Sequence, residues 1–252
     1  MSGRLVLLHG FTGSPASWDD VVARLDSDID VFRPTLTGHD PDYVPDTYDA
    51  PASFGEEVFG VVAEILAGFG AQPMHLAGYS LGARVALMMI ATAPDLFASA
   101  TLIGVNPGVK TDAERAERRA ADARWIELLE QGIEPFVDAW ERIPLWQSQA
   151  RLPAEKRAAQ REARLRHDPR GLALSLRVAG LAEQPDLRPR LGDVQVPVTL
   201  MAGAEDPKFT ALAEETAALL PHARVVVVPD AGHNLLLERP QSVADELNRM
   251  IS

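Results

Sequence analysis

The spacing of apolar positions changes several times along this chain, and each change marks an element. Residues 4–8 (RLVLL) are apolar after Arg4 and end at His9-Gly10, which reads as a strand buried on both faces that feeds a glycine turn. Pro15 after Ser14 opens a predicted helix, with Trp18, Val21, Val22 and Leu25 following at helical spacing. A second strand begins at 30–34. Over 52–69, Phe54, Val58, Val61, Val62, Ile65 and Leu66 fall on one side of a predicted amphipathic helix. Residues 74–78 read as a strand, 82–93 as an apolar helix stopped by Pro94, and 99–104 as the next strand. Further on, 196–202 and 224–228 are β-branched runs separated by a helical stretch at 209–220, and 240–251 reads as a last helix.

Strands alternating with helices predict an α/β fold: a mostly parallel sheet covered on both faces, with a ligand site at the carboxyl ends of its strands. Between 106 and 192 the strands disappear. Helical stretches at 112–131, 134–141, 153–166 and 170–183 are joined there by Gly and Pro breaks. Residues 107–192 therefore read as a helical cap inserted into a single domain spanning 1–252, not as a second independent domain.

Composition narrows the function classes. A length of 252 residues with 46% hydrophobic and 24% charged residues suits one domain with a sizeable core. The absence of cysteine excludes disulfides and thiolate zinc sites and fits a reducing compartment. The N-terminal apolar run LVLL is too short for a signal core or a membrane span, so the expected location is cytoplasmic, with no membrane partner. Six histidines without HExxH spacing suggest no metal, and the run Gly10 to Gly13 is too short for a phosphate-binding loop, so no cofactor is expected. A formal net charge of −12 argues against nucleic acid. Residues 107–192 hold 16 Lys and Arg against 14 Asp and Glu, a net of +2 that leaves −14 for the rest. Most of these arginines belong to solvated, mixed-charge helix faces, and a few are expected to face a pocket. The expected partner is a small anionic molecule, and the expected state a monomer or small homo-oligomer.

Gly78-Tyr79-Ser80-Leu81-Gly82 is a G-x-S-x-G sequence between a predicted strand and a predicted helix, the setting of a nucleophile elbow. Ser80 is the candidate nucleophile or base at its tip. His233, in the segment DAGHN after the last predicted strand, sits where a loop can return an imidazole over the sheet. Asp206 follows the strand at 198–202 and is favoured over its neighbour Glu205, because Pro207 holds its backbone extended. The order Ser, Asp, His is that of a triad on this kind of sheet. The backbone amides of Phe11 and Leu81 are the candidate oxyanion site, with His9 a structural loop residue.

With these residues placed, the chain resembles the α/β-hydrolase superfamily over essentially its whole length. A narrower resemblance is carried by LHGFTGSPASW, GYSLGARVAL, NPGV, ERAERRAAD, LAEQPDL, AGAEDPKF and AGHN. These segments look like the 2-succinyl-6-hydroxy-2,4-cyclohexadiene-1-carboxylate (SHCHC) synthases of menaquinone biosynthesis. The resemblance implies a sheet without the two strands that most hydrolases carry upstream of the His-Gly pair. It implies a lyase, whose triad removes a proton from a cyclohexene bearing several carboxylates so that pyruvate leaves. It also implies carboxylate binding by Arg84, Arg118 and Arg164, with Tyr79 and Trp140 lining the pocket. Arg115 and Arg119 compete with Arg118, and Arg161 and Arg166 compete with Arg164; helix register decides between them. The stretch RVAGLAEQ falls where that family varies. Two other readings use the same residues: a serine hydrolase working through an acyl-enzyme, and a non-catalytic small-molecule receptor.

Overall fold

The computed structural model describes residues 3–40 and 50–251. Its strands are β1 (Arg4–Leu8), β2 (Asp30–Phe32), β3 (Met74–Tyr79), β4 (Phe97–Ile103), β5 (Val198–Gly203) and β6 (Ala223–Val228). They form one sheet in the order β2-β1-β3-β4-β5-β6, and every adjacent pair is parallel. Among the described residues no strand precedes β1. The chain moves outward from β1 to β2 and then returns to the far side of β1, so the strand order reverses between β1 and β3. A crevice opens at the carboxyl ends of such a pair. The register Leu8↔Gly78 places the His9-Gly10 turn beside Tyr79-Ser80 at that crevice.

The helices are α1 (Asp19–Val22), α2 (Phe54–Phe69), α3 (Leu81–Thr92), α4 (Asp112–Glu130), α5 (Ile133–Trp140), α6 (Ala154–Leu165), α7 (Pro169–Ala179), α8 (Arg188–Leu191), α9 (Pro207–Ala217), α10 (Leu235–Glu238) and α11 (Pro240–Ile251). Both faces of the sheet are covered, which is why β1 reads as an unbroken apolar run. Val6 and Leu8 join the core formed with α2, α3 and α9, whereas Leu5 and Leu7 join the core formed with α1, α10 and α11. Alternation along the strand divides the two cores. No helix among the described residues is long and apolar enough to cross a membrane.

Several boundaries differ from the sequence reading. The helix expected from Pro15 is a 3-10 turn at Pro15–Trp18 followed by the four-residue α1, and Leu25 lies beyond it. Asp26-Ser27-Asp28 follows at once and favours a turn over further helix. The helix expected at 170–183 ends at Ala179, where the backbone turns extended at Gly180 and the following residues form a turn.

Between β4 and β5 the chain is helical, holding α4 to α8 and a 3-10 helix at Pro144–Arg151. Helix α4 begins with a capping box in which Thr111 and Glu114 satisfy each other's backbone N–H groups. This segment has its own small core of Leu129, Phe136, Val137, Leu172, Ala173 and Leu176. Phe11 packs against that core and against the core of α2 and α3, so the first loop joins the helical segment to the sheet.

Candidate active site

Ser80 caps α3 with φ +52, a left-handed conformation that few non-glycine residues adopt. Two bonds hold it there: the Ser80 N–H donates to Ile103 O at 2.8 Å, and the Gly82 N–H donates to His9 O at 3.0 Å. Strand and helix meet so closely that a Cβ on Gly78 would lie 2.3 Å from Gly82 O, and one on Gly82 would lie 2.3 Å from Leu8 O. Only glycine fits either place.

The structure brings the three polar residues together. His233 Nε2 lies 3.1 Å from Ser80 Oγ, and His233 Nδ1 lies 2.9 Å from Asp206 Oδ2. An ionised carboxylate accepts from Nδ1–H, which leaves the Nε2 lone pair facing the serine hydroxyl. Asp206 also caps α9: its Oδ1 accepts the Phe209 N–H at 3.2 Å, so one carboxylate orients the imidazole and starts a helix. Glu205, the rival acid, points outward to Arg151 at 2.7 Å. The imidazole is 3% exposed and walled by the rings of Phe209, Tyr79 and Trp146 at 4.3, 5.5 and 5.8 Å.

A cavity of about 290 Å³ opens over Ser80 and His233, and Phe11, Tyr79, Leu81, Arg84, Arg118, Trp140 and Trp146 are among its walls. Leu81 is the first residue of α3, so its N–H has no intrahelical acceptor and is open to an oxyanion. Arg84 donates to Ala179 O at 2.7 Å and to Gln184 Oε1 at 3.3 Å. Burial pushes its guanidinium down to about 9, which leaves it charged at neutral pH. Arg118 pairs with Asp122, a carboxylate that is 4% exposed. Its neighbours turn elsewhere: Arg115 to the carbonyls of Ala182 and Gln184, and Arg119 to Glu183.

Arg164 departs from the expectation that all three arginines share one pocket. It lines a second cavity of about 290 Å³, on the far side of Tyr79 and Trp146, together with Thr12, Lys156 and His167. There it is 4% exposed, donates to Glu141 at 3.0 Å and lies over the Trp146 ring at 5.3 Å. The cause is the 3-10 helix at Pro144–Arg151, which inserts Trp146 between α6 and the triad. Arg161 bonds Asp138 and Glu141, and Arg166 pairs with exposed Glu162. Phe11, Tyr79 and Trp146 line both cavities. Tyr79 Oη and Trp146 Nε1 are buried without a hydrogen-bond partner among the described residues. Trp146, Lys208 and Phe209 are wall residues that sequence reasoning missed.

Comparison with known proteins agrees with this fold. The pattern of the α/β hydrolase family matches residues 5–246. The chain belongs to the α/β hydrolase family. This hydrolase-fold enzyme is 36% identical, over 95% of its length and 87% of the relative's, to the putative SHCHC synthase of Bacillus subtilis (strain 168). It is 32% identical to the SHCHC synthase of Salmonella agona (strain SL483), covering 98% of this chain and 93% of that protein. The structure of MenH from S. aureus superposes with a TM-score of 0.93 at 30% identity, covering 99% of this chain and 93% of the other. This α/β hydrolase therefore shares its overall fold with that structure.

The loop after β1, which lies beside Ser80, rests on buried histidines. His9 Nδ1 lies 2.9 Å from Gly10 O while Nε2 accepts the Leu36 N–H at 3.1 Å; His39 Nδ1 lies 3.0 Å from Thr37 O while Nε2 accepts the Thr12 N–H at 3.2 Å. Each ring is thus neutral, with its proton on Nδ1. Burial pushes His9 down to about 4 and His39 well below the usual imidazole range. No group of three metal-ligating side chains occurs among the described residues.

Proposed function

We propose that this enzyme is a lyase of the SHCHC synthase type, using Ser80, His233 and Asp206 to take a proton from a polycarboxylated enolpyruvyl cyclohexene. His233 draws the proton from Ser80, and the serine oxygen in turn takes one from the ring carbon beside the succinyl ketone. The electron pair left behind moves into the ring as a new C=C bond. The ring double bond shifts one position as the C–O bond to the enolpyruvyl group breaks, and the departing enolate takes the proton held by His233 to become pyruvate. The amides of Phe11 and Leu81 stabilise negative charge on the ketone oxygen as the proton leaves. Residues 107–192 act as a cap that supplies the carboxylate-binding arginines.

The observation that carries this reading is the pairing of the triad contacts with cationic side chains in two adjoining cavities. Arg84 and Arg118 reach the first and Arg164 the second, while Tyr79 and Trp146 offer unpartnered polar atoms between them. A substrate with carboxylates at opposite ends fits such a pair, and arginine forks bind carboxylates bidentately. The names of the relatives support the same substrate. The test is to supply the enolpyruvyl cyclohexene and follow pyruvate. The lyase reading expects release that Ser80→Ala abolishes; turnover of p-nitrophenyl esters with no pyruvate formed assigns the protein to the hydrolases instead.

A further inference from the structure

Glu238 is a carboxylate that the reaction above leaves unused. It ends α10 and is only 7% exposed. Burying an ionised group costs free energy unless it gains strong partners. Its partners are two backbone amides: Oε2 accepts the Gly232 N–H at 2.9 Å, and Oε1 accepts the Asn234 N–H at 3.3 Å. These are the residues immediately before and after His233. The rest of the loop is tied at its start, where Ala231 O accepts the Glu205 N–H at 2.9 Å, while Asp230 takes a left-handed φ of +50. Asn234 completes the frame from below, its carbonyl accepting the Glu238 N–H at 2.9 Å.

We propose that Glu238 is a positioning residue for His233, a two-oxygen clamp that fixes the peptide on each side of the base. The inference rests on the triad reading. His233 must meet Ser80 and Asp206 with opposite ring nitrogens at once, so a small rotation of its backbone breaks at least one contact. A carboxylate suits the task because it accepts at both oxygens, whereas the amide of glutamine accepts at one and turns an NH₂ toward the second N–H.

The experiment uses the full chain with Glu238→Ala and Glu238→Gln, pyruvate-release kinetics, thermal unfolding, and the far-downfield proton resonance of His233 Nδ1–H, assigned by its loss in His233→Ala. A displacement near 1 Å costs about 10²-fold in rate, so Glu238→Ala is expected to lose about that factor in kcat with KM within about threefold. Glu238→Gln keeps one bond and is expected to fall between Ala and the wild type, with the resonance broadened in both. Folded variants with unchanged kcat and an unchanged resonance, or with the loss appearing in KM alone, would overturn the proposal. If Glu238→Ala does not fold, Glu238→Gln decides by the same criteria. A wild type that lacks the resonance and tolerates Ser80→Ala defeats the triad reading itself, an outcome distinct from failure of the clamp.

Discussion

Asp206 shows how one side chain answers two readings of a sequence. An acid after a strand end commonly caps the next helix, and this one does, yet its second oxygen holds His233. The two roles separate in Asp206→Asn. Asparagine still caps α9, so stability should fall by no more than about 1 kcal/mol. The amide disturbs the imidazole tautomer, so kcat should fall by about 10⁴-fold. Steady-state pyruvate release and urea unfolding measure the two effects. Arg84 was named through the family resemblance, and its place one helical turn beyond Ser80 puts it among the cavity walls. The choice among Arg115, Arg118 and Arg119 was not legible, because it depends on how α4 rolls against α7. With that roll fixed, Arg118→Ala should cost about 2–3 kcal/mol in kcat/KM, while Arg119→Ala, which removes an exposed ion pair, should change stability by less than about 1 kcal/mol. Trp146 escaped notice because a 3-10 helix repeats every three residues and leaves no pattern of 3.6.

At the scale of elements, the turn between β3 and α3 was readable because its chemistry dictates its residues. A hydroxyl at φ +52 between a strand and a helix needs neighbours without side chains, and Gly78 and Gly82 supply them. Gly82→Ala tests the point. Its Cβ would fall 2.3 Å from Leu8 O and 2.6 Å from His9 O, main-chain atoms of β1 and its loop that cannot step aside alone. The expected loss is about 1–3 kcal/mol of stability, the range for overpacking, read as a lower urea midpoint at an unchanged slope. The helices between β4 and β5 were visible for a different reason: mixed charges and Pro and Gly breaks mark their ends without reference to packing. Which cavity each helix lines was not visible, since that follows from Phe11, Tyr79 and Trp146 standing between the two cavities.

For the whole molecule, alternating strands and helices announce a parallel sheet but not its order, because strand order depends on which edges meet and leaves no mark on periodicity. The same long-range assembly buries His9, His39 and His167, which lie far apart in sequence, as a chain of edge-on rings spaced 4.8 and 5.5 Å. Their burial ties stability to pH. In the unfolded chain His9 takes a proton near 6.5, but in the folded protein only near 4. Between those values the unfolded state holds more protons, so stability falls as pH drops through the window and levels off below it. His9 alone accounts for roughly 3 kcal/mol across that interval, and His39 and His167 are shifted in the same direction by burial. Burial raises Glu57 and Glu64, which favours the folded state at acid pH and opposes the histidines only above 4.5. The unfolding free energy from urea titrations should therefore decline from pH 7 to pH 4.5, with each histidine contributing a slope of up to about 1.4 kcal/mol per pH unit. His9→Gln should remove one proton's share of that slope. A flat profile in the wild type would mean that these rings accept protons without unfolding, and that the loop carrying Phe11 does not depend on their neutrality.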